Sequence, residues 1–244
     1  MNRWRMFVFL SVCLSIFVYI PATDQKPKTS YQTLLDLHEE FSKFRRPVIV
    51  DGIPDYSRAA TKSKEKGLKA FRHRLEEINP EDWTISQKID YLLMQAKFNE
   101  LDFQLRVTRP WNRDPSTYVD RVARIPYADT PLSKEAQARL AERLKTVPKI
   151  LELGKKNLTG VPRVLAEIAI RSLENSDGVN QGEPRRKVPP EGTIGWYEDL
   201  IGRLSTHHPV LLPDAEQALS SVKNYRDWLK ENKSRMTAPG FIGL

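Results

Sequence analysis

The chain of 244 residues has one cysteine, Cys13, and it lies inside an opening stretch built like an export signal. The remainder therefore has no thiol to form a disulfide, hold a metal or attack a substrate, and redox state cannot act on it. Glycine is scarce, at 11 residues, and none of these forms a phosphate-cradling loop behind a strand. No serine stands in a nucleophile elbow. Histidine is scarcer still, with 4. His38-Glu39 begins the pattern in which two His one turn apart bind zinc beside a water-activating Glu, but Ser42 stands where the second His belongs. His207 and His208 are adjacent, which on a helix aims them about 100° apart, and Pro209 follows at once. They are read as a helix end. His73 and Glu77, one turn apart, are read as a surface pair. These absences leave no self-sufficient active site: no catalytic residue and no metal or cofactor ligand is assigned to this chain.

Long apolar runs are also missing, save one. Arg3 and Arg5 precede a mostly apolar stretch, residues 6–20, which Pro21, Ala22 and Thr23 close. Basic residues, an apolar run and then a small-residue region is the order of a secretory signal. The run holds 15 residues, short of the roughly 20 that cross the hydrocarbon core as a helix. A cleaved signal is favoured, with an uncleaved anchor as the alternative because Ile20 and Thr23 flank Ala22 poorly. Leu10-Ser11-Val12 before Cys13 faintly resembles a lipoprotein processing site, but Val12 is bulky where a small residue is needed and the apolar run continues past it. Residues 1–23 are thus a signal peptide or signal anchor. Residues 24–244 follow as a helical domain, periplasmic or secreted, and tied to a membrane only if the first segment stays attached.

The net charge is +8, of which Arg3 and Arg5 supply two. What remains is mildly basic, with Lys and Arg interleaved among 31 acids along amphipathic stretches. That describes solvated helix faces rather than a nucleic-acid footprint, and export disfavours nucleic acid further.

Apolar spacing predicts helices throughout. Tyr31 to Phe44 puts Leu34, Leu37, Phe41 and Phe44 on one stripe, and Pro47, Gly52 and Pro54 carry the chain through an irregular crossing. Leu68, Phe71, Leu75 and Ile78 make a second helix that stops at Asn79-Pro80. Thr84 and Gln87 have capping-box spacing. The long helix they start carries Ile85, Ile89, Leu92, Leu93, Ala96 and Phe103 and ends by Arg109. Residues 110–131 hold four prolines and read as an ordered, packed loop. Ser133 caps the next helix, with Leu140, Leu144, Val147 and Leu151 as its stripe and Pro148 expected to kink it. Leu165, Ile168, Ala169 and Leu173 mark another. Residues 176–192 read as a surface loop. Two last helices are expected around Trp196, Leu200 and Leu204, and from Pro213 to Lys233. No strand pair with alternating pattern is found. The expected class is all-α, a multi-helix array with proline-rich ordered loops.

On the loop, Trp111, Arg113, Asp114 and Tyr118 form the densest cluster of aromatic and charged residues, so Trp111, Arg113 and Tyr118 are the candidates for substrate contact. The alternative is that Asp114-Pro115 starts a turn while Trp111 and Tyr118 pin the loop to the core. Asn157-Leu158-Thr159 and Asn232-Lys233-Ser234 match glycosylation acceptors.

Three groups of stretches carry a resemblance. One runs from Ile89-Asp90-Tyr91-Leu92-Leu93 through Asn99-Glu100-Leu101 to Arg109-Pro110-Trp111-Asn112-Arg113-Asp114-Pro115. The second joins Leu144-Lys145-Thr146-Val147-Pro148 to Asn157-Leu158-Thr159, and the third joins Tyr225-Arg226-Asp227-Trp228-Leu229 to Gly240. With these the chain resembles the amino-terminal part of an exported bacterial family, domain of unknown function 885. The resemblance implies a large, mostly helical, zinc-metallopeptidase-like protein acting on peptides, with its His-Glu-x-x-His helix beyond the matched region. Zinc is expected for a full-length member, and no ligand of it maps onto this chain. The last six residues, Pro239-Gly240-Phe241-Ile242-Gly243-Leu244, finish on apolar side chains just after a turn. A truncated product is therefore expected, whose helices pack against a missing carboxyl-terminal half. A complete helical binding or structural module of the envelope is the alternative.

Overall fold

A computed structural model describes residues 31–175 and 190–240. The segment expected to direct export, the tip of the expected polar loop and the last four residues lie outside the described residues. Within them the fold is all-α, as its periodicity predicts: α1 (Tyr31–Phe44), α2 (Arg58–Glu76), α3 (Ile85–Phe103), α4 (Pro110–Arg113), α5 (Ser116–Ala123), α6 (Lys134–Asn157), α7 (Arg163–Glu174), α8 (Gly192–His207) and α9 (Leu212–Asn232). The side-chain caps stand where the sequence places them. Thr84 Oγ1 accepts from the Gln87 backbone while Gln87 Oε1 accepts from the Thr84 backbone, and Ser133 Oγ accepts from Ala136 N.

Four features depart from the sequence reading. The crossing after α1 is a small hairpin, β1 (Ile49–Val50) and β2 (Ile53–Pro54), paired antiparallel. Two-residue strands are too short to show alternation. What makes the hairpin is its turn: Asp51 at φ 51° and Gly52 at φ 80° both take the left-handed conformation that a two-residue hairpin turn requires. The stretch 110–131 is ordered, as expected, but much of it is helical, with α4 and α5 started at Pro110 and just after Pro115. On α7 the exposed residues include Ile168, while Ala166, Ala169, Ile170 and Leu173 face inward. The fourth departure concerns α3. It buries Met94, Phe98 and Leu101, and leaves Ile85, Ile89, Leu92, Leu93, Ala96 and Phe103 exposed.

Two cores result. The first joins α1, α2 and α3 around rings packed edge to face, with Phe41 and Phe98 centroids 4.6 Å apart and Phe41 and Phe71 5.4 Å apart. The second is larger and joins α5 to α9 around the fully buried Tyr118, Tyr197 and Tyr225. Gly192 sets the start of α8 against the end of α7. Its φ is +60°, and a Cβ there would stand 2.5 Å from the Leu173 carbonyl oxygen, so only glycine fits. Trp111 packs against both cores at once.

Candidate functional site

The junction between the cores is built from the residues that sequence reasoning singled out. After Phe103 the helix widens into a π-turn, Gln104–Thr108, in which Arg109 N donates to Gln104 O at 2.9 Å. Pro110 disfavours helical geometry at the residue before it, and Arg109 takes a left-handed φ of 39°. The chain thereby reverses and drives Trp111 inward. Asp114 Oδ1 accepts from Ser116 N at 2.9 Å, the turn expected at Asp114-Pro115, and α5 begins.

Hydrogen bonds then fix every part of the segment. Tyr118 donates its hydroxyl to the Trp111 carbonyl at 2.5 Å and accepts from Asn157 Nδ2 at 3.1 Å. Asn112 Nδ2 donates to Asn157 O at 2.6 Å and to Thr159 Oγ1 at 2.7 Å. The Asn112 carbonyl accepts from Thr159 N and Gly160 N, both at 3.2 Å. Arg113 Nη2 donates to Pro239 O at 2.9 Å, which ties the segment to the far end of the described chain. The Trp111 ring stacks on Tyr56 at 5.7 Å and 8°, and Tyr118 meets Tyr56 edge-on.

The structure therefore brings Trp111, Arg113 and Tyr118 together, in the arrangement that pins the segment to the core. Tyr118 has no exposed surface, so it offers nothing to a ligand in this arrangement. Burial pushes its phenol up to about 12, against the pull of the Asn157 amide. Sequence reasoning missed Tyr56, Asn112 and Asn157 as parts of this clamp. Asn112 and Asn157 fall in the stretches that carry the family resemblance, and Asn157 also opens a glycosylation-like triplet; neither signal points to a clamp. Both glycosylation-like asparagines are occupied, Asn157 as above and Asn232 by donating to Trp228 O at 2.8 Å. Tyr118→Phe removes the hydroxyl between Trp111 and Asn157 and is expected to lower unfolding stability by about 1–2 kcal/mol, read from the urea midpoint at unchanged slope.

His207 and His208 are neighbours, with ring centroids 6.5 Å apart, and neither joins His38 or His73. His38 is exposed on α1, and His73 on α2 pairs with Glu77, the C-cap of that helix, at 3.3 Å. His208 caps the end of α8 and accepts at Nε2 from Leu132 N at 2.7 Å, while His207 is exposed. Among the described residues no group of three or more His, Cys, Asp or Glu side chains could hold a metal ion, so these residues do not fit a zinc centre and no step is assigned to one. Among them, too, no helix is long and apolar enough to cross a membrane.

No family model and no curated protein matches the chain. Its fold is similar to the solved structure of a candidate lipoprotein of unknown function from Shewanella oneidensis, with a TM-score of 0.59 and 15% identity. The similarity covers 85% of this chain and 38% of that one. At that identity the likeness is one of fold, and this fold occupies well under half of the longer protein.

Proposed function

We propose that this chain is the helical amino-terminal portion of a larger exported, metallopeptidase-like protein, that it serves as scaffold, and that it is inactive alone. The observation that carries this reading is the outward face of α3. Ile85, Ile89, Leu92 and Phe103 are 80%, 51%, 60% and 45% exposed. Positions 85, 89, 92, 96 and 103 fall on one stripe at helical spacing. At 1.5 Å per residue the stripe is about 27 Å long. A helix apolar on two opposite sides belongs between two layers, and the described residues cover only one side. The remaining, larger part of the protein supplies the other layer. The longer chain of the Shewanella protein supports this, as do the stretches resembling the family and the export-like order of residues 1–23.

Arg113 and the exposed edge of Trp111 would then stand where a substrate channel meets the scaffold, and peptide is the substrate class expected of the full-length protein. The downstream reading frame tests the proposal. A frame continuing into a His-Glu-x-x-His helix is the expected result, and a stop followed by unrelated sequence would overturn it. The second reading, a self-standing envelope binding module, is favoured by one observation, a cationic groove beside the hairpin.

A further inference from the structure

The β1–β2 hairpin leans over the middle of α6 and leaves a cavity of about 600 Å³ between them. A Cβ on Gly52 would come 3.0 Å from the Thr146 methyl, so the hairpin tip rides directly on the helix. Four cations line the space, Arg121, Arg143, Lys145 and Lys149, against two carboxylates, Asp51 and Glu142. Lys145 is paired with Glu142 at 3.4 Å. No carboxylate among the described residues lies in ion-pair reach of the other three cations.

Arg121 is the informative one. Its neighbours in sequence, Val119 and Val122, are fully buried. Its guanidinium lies 5.5 Å from the centroid of the Tyr56 ring and donates from Nη2 to the Tyr56 hydroxyl. Its Nε is shut off from solvent with no hydrogen-bond partner, the one such side-chain atom among the described residues. A half-buried guanidinium normally has a carboxylate or phosphate beside it. Here no side chain supplies one, and Arg121 lines a cavity whose Arg143 and Lys149 also have no ion-pair partner among the described residues; the sealed Nε marks the missing counter-charge and is not itself the contact atom. Ile49, Pro54, Ile125 and Ile150 give the same cavity an apolar lining.

We propose that this groove binds a small organic carboxylate with an apolar body: the carboxylate supplies the counter-charge that Arg121, Arg143 and Lys149 lack, and the body lies against the isoleucines. Such a site has the usual mix of apolar lining and a few placed charges. It is independent of the scaffold reading, because the stripe on α3 plays no part in it.

Calorimetric titration of the full chain with octanoate, octan-1-ol and inorganic phosphate tests the proposal. Octanoate is expected to bind at one site, more weakly as salt rises. Octan-1-ol and phosphate are each expected to bind at least about tenfold more weakly, because each lacks one half of the recognised chemistry. The double variant R143Q/K149Q changes two exposed side chains and is expected to weaken octanoate about tenfold, a loss of roughly 1.4 kcal/mol of binding free energy. I89E/L92E on α3 is expected to leave octanoate binding unchanged. Absence of octanoate binding, equal binding of octan-1-ol or phosphate, or affinity insensitive to R143Q/K149Q but lost in I89E/L92E would each overturn the proposal.

Discussion

Trp111→Ala is expected to lower stability by about 3 kcal/mol and to split one thermal transition into two. The magnitude follows from truncating a large aromatic ring at a packed position. The splitting follows from where that ring sits. Trp111 is packed against the core of α1–α3 and against the core of α5–α9, and it stacks on Tyr56 beside the hairpin. Removing it leaves each core intact and loosens what couples them. The first core should melt earlier, because it holds ten buried apolar residues and the second holds twenty-six. Calorimetry reads both effects. Trp111→Phe keeps an aromatic face and should retain a single transition at a smaller cost. A single transition shifted without broadening in Trp111→Ala would mean that the two cores are coupled by other contacts.

The second large effect is expected at high pH. Tyr118, Tyr197 and Tyr225 have no exposed surface, and burial raises all three phenols, Tyr118 to about 12 and the other two further. In the unfolded chain each ionises near 10. Below that pH both states are protonated and the stability from these groups is fully present. Above it the unfolded state loses protons that the folded state keeps, so stability falls as pH rises from 10 toward 12. Each such phenol contributes a slope of about 1.4 kcal/mol per pH unit, and three together roughly 4. Against a total stability of about 5–15 kcal/mol, the fold should be lost cooperatively between about pH 11 and 12. Phenolate absorbance should then rise in two stages, exposed tyrosines first and the buried three only with loss of helical circular dichroism. Tyr197→Phe, which gives up one hydrogen bond of 3.0 Å to Val122 O, should reduce the slope by about a third. A smooth titration of all tyrosines with helicity retained would contradict the burial of these rings.

Helix positions and caps could be read from the chain because they depend on neighbours in sequence. Tyr31–Phe44, the Thr84–Gln87 box and the Ser133 cap are all local patterns. What could not be read is which side of a doubly apolar helix meets the core. On α3, Ile85, Ile89, Leu92, Ala96 and Phe103 have helical spacing, and so do Met94, Phe98 and Leu101, with Leu105 continuing that row in the π-turn. Periodicity is satisfied equally by both sets. The aromatic partners Phe41 and Phe71 decide for Phe98, and they come from other helices. The hairpin's strands are too short to show alternation, and its signal in the sequence is the Asp51-Gly52 pair, whose left-handed conformations make the turn. At the junction, Trp111, Arg113 and Tyr118 were visible as a cluster, but the partners Tyr56, Asn112 and Asn157 that make it a clamp are brought in by the fold. The cationic groove is not legible in the sequence because Arg121 and Lys149 come to line one cavity only through the packing of α5 on α6 beside the hairpin.

Helix α3 has one covered and one bare apolar face, and the variant I89E/L92E reads this most directly. Two charges on an exposed face should leave the urea midpoint within about 0.5 kcal/mol of the parent per site, while binding of an environment-sensitive apolar dye falls sharply because the patch is gone. Phe98→Ala on the covered face should cost about 3–5 kcal/mol in the same measurement. If I89E/L92E instead unfolds the chain, or Phe98→Ala is neutral, the two faces are assigned the wrong way round and the docking role of α3 is lost with them.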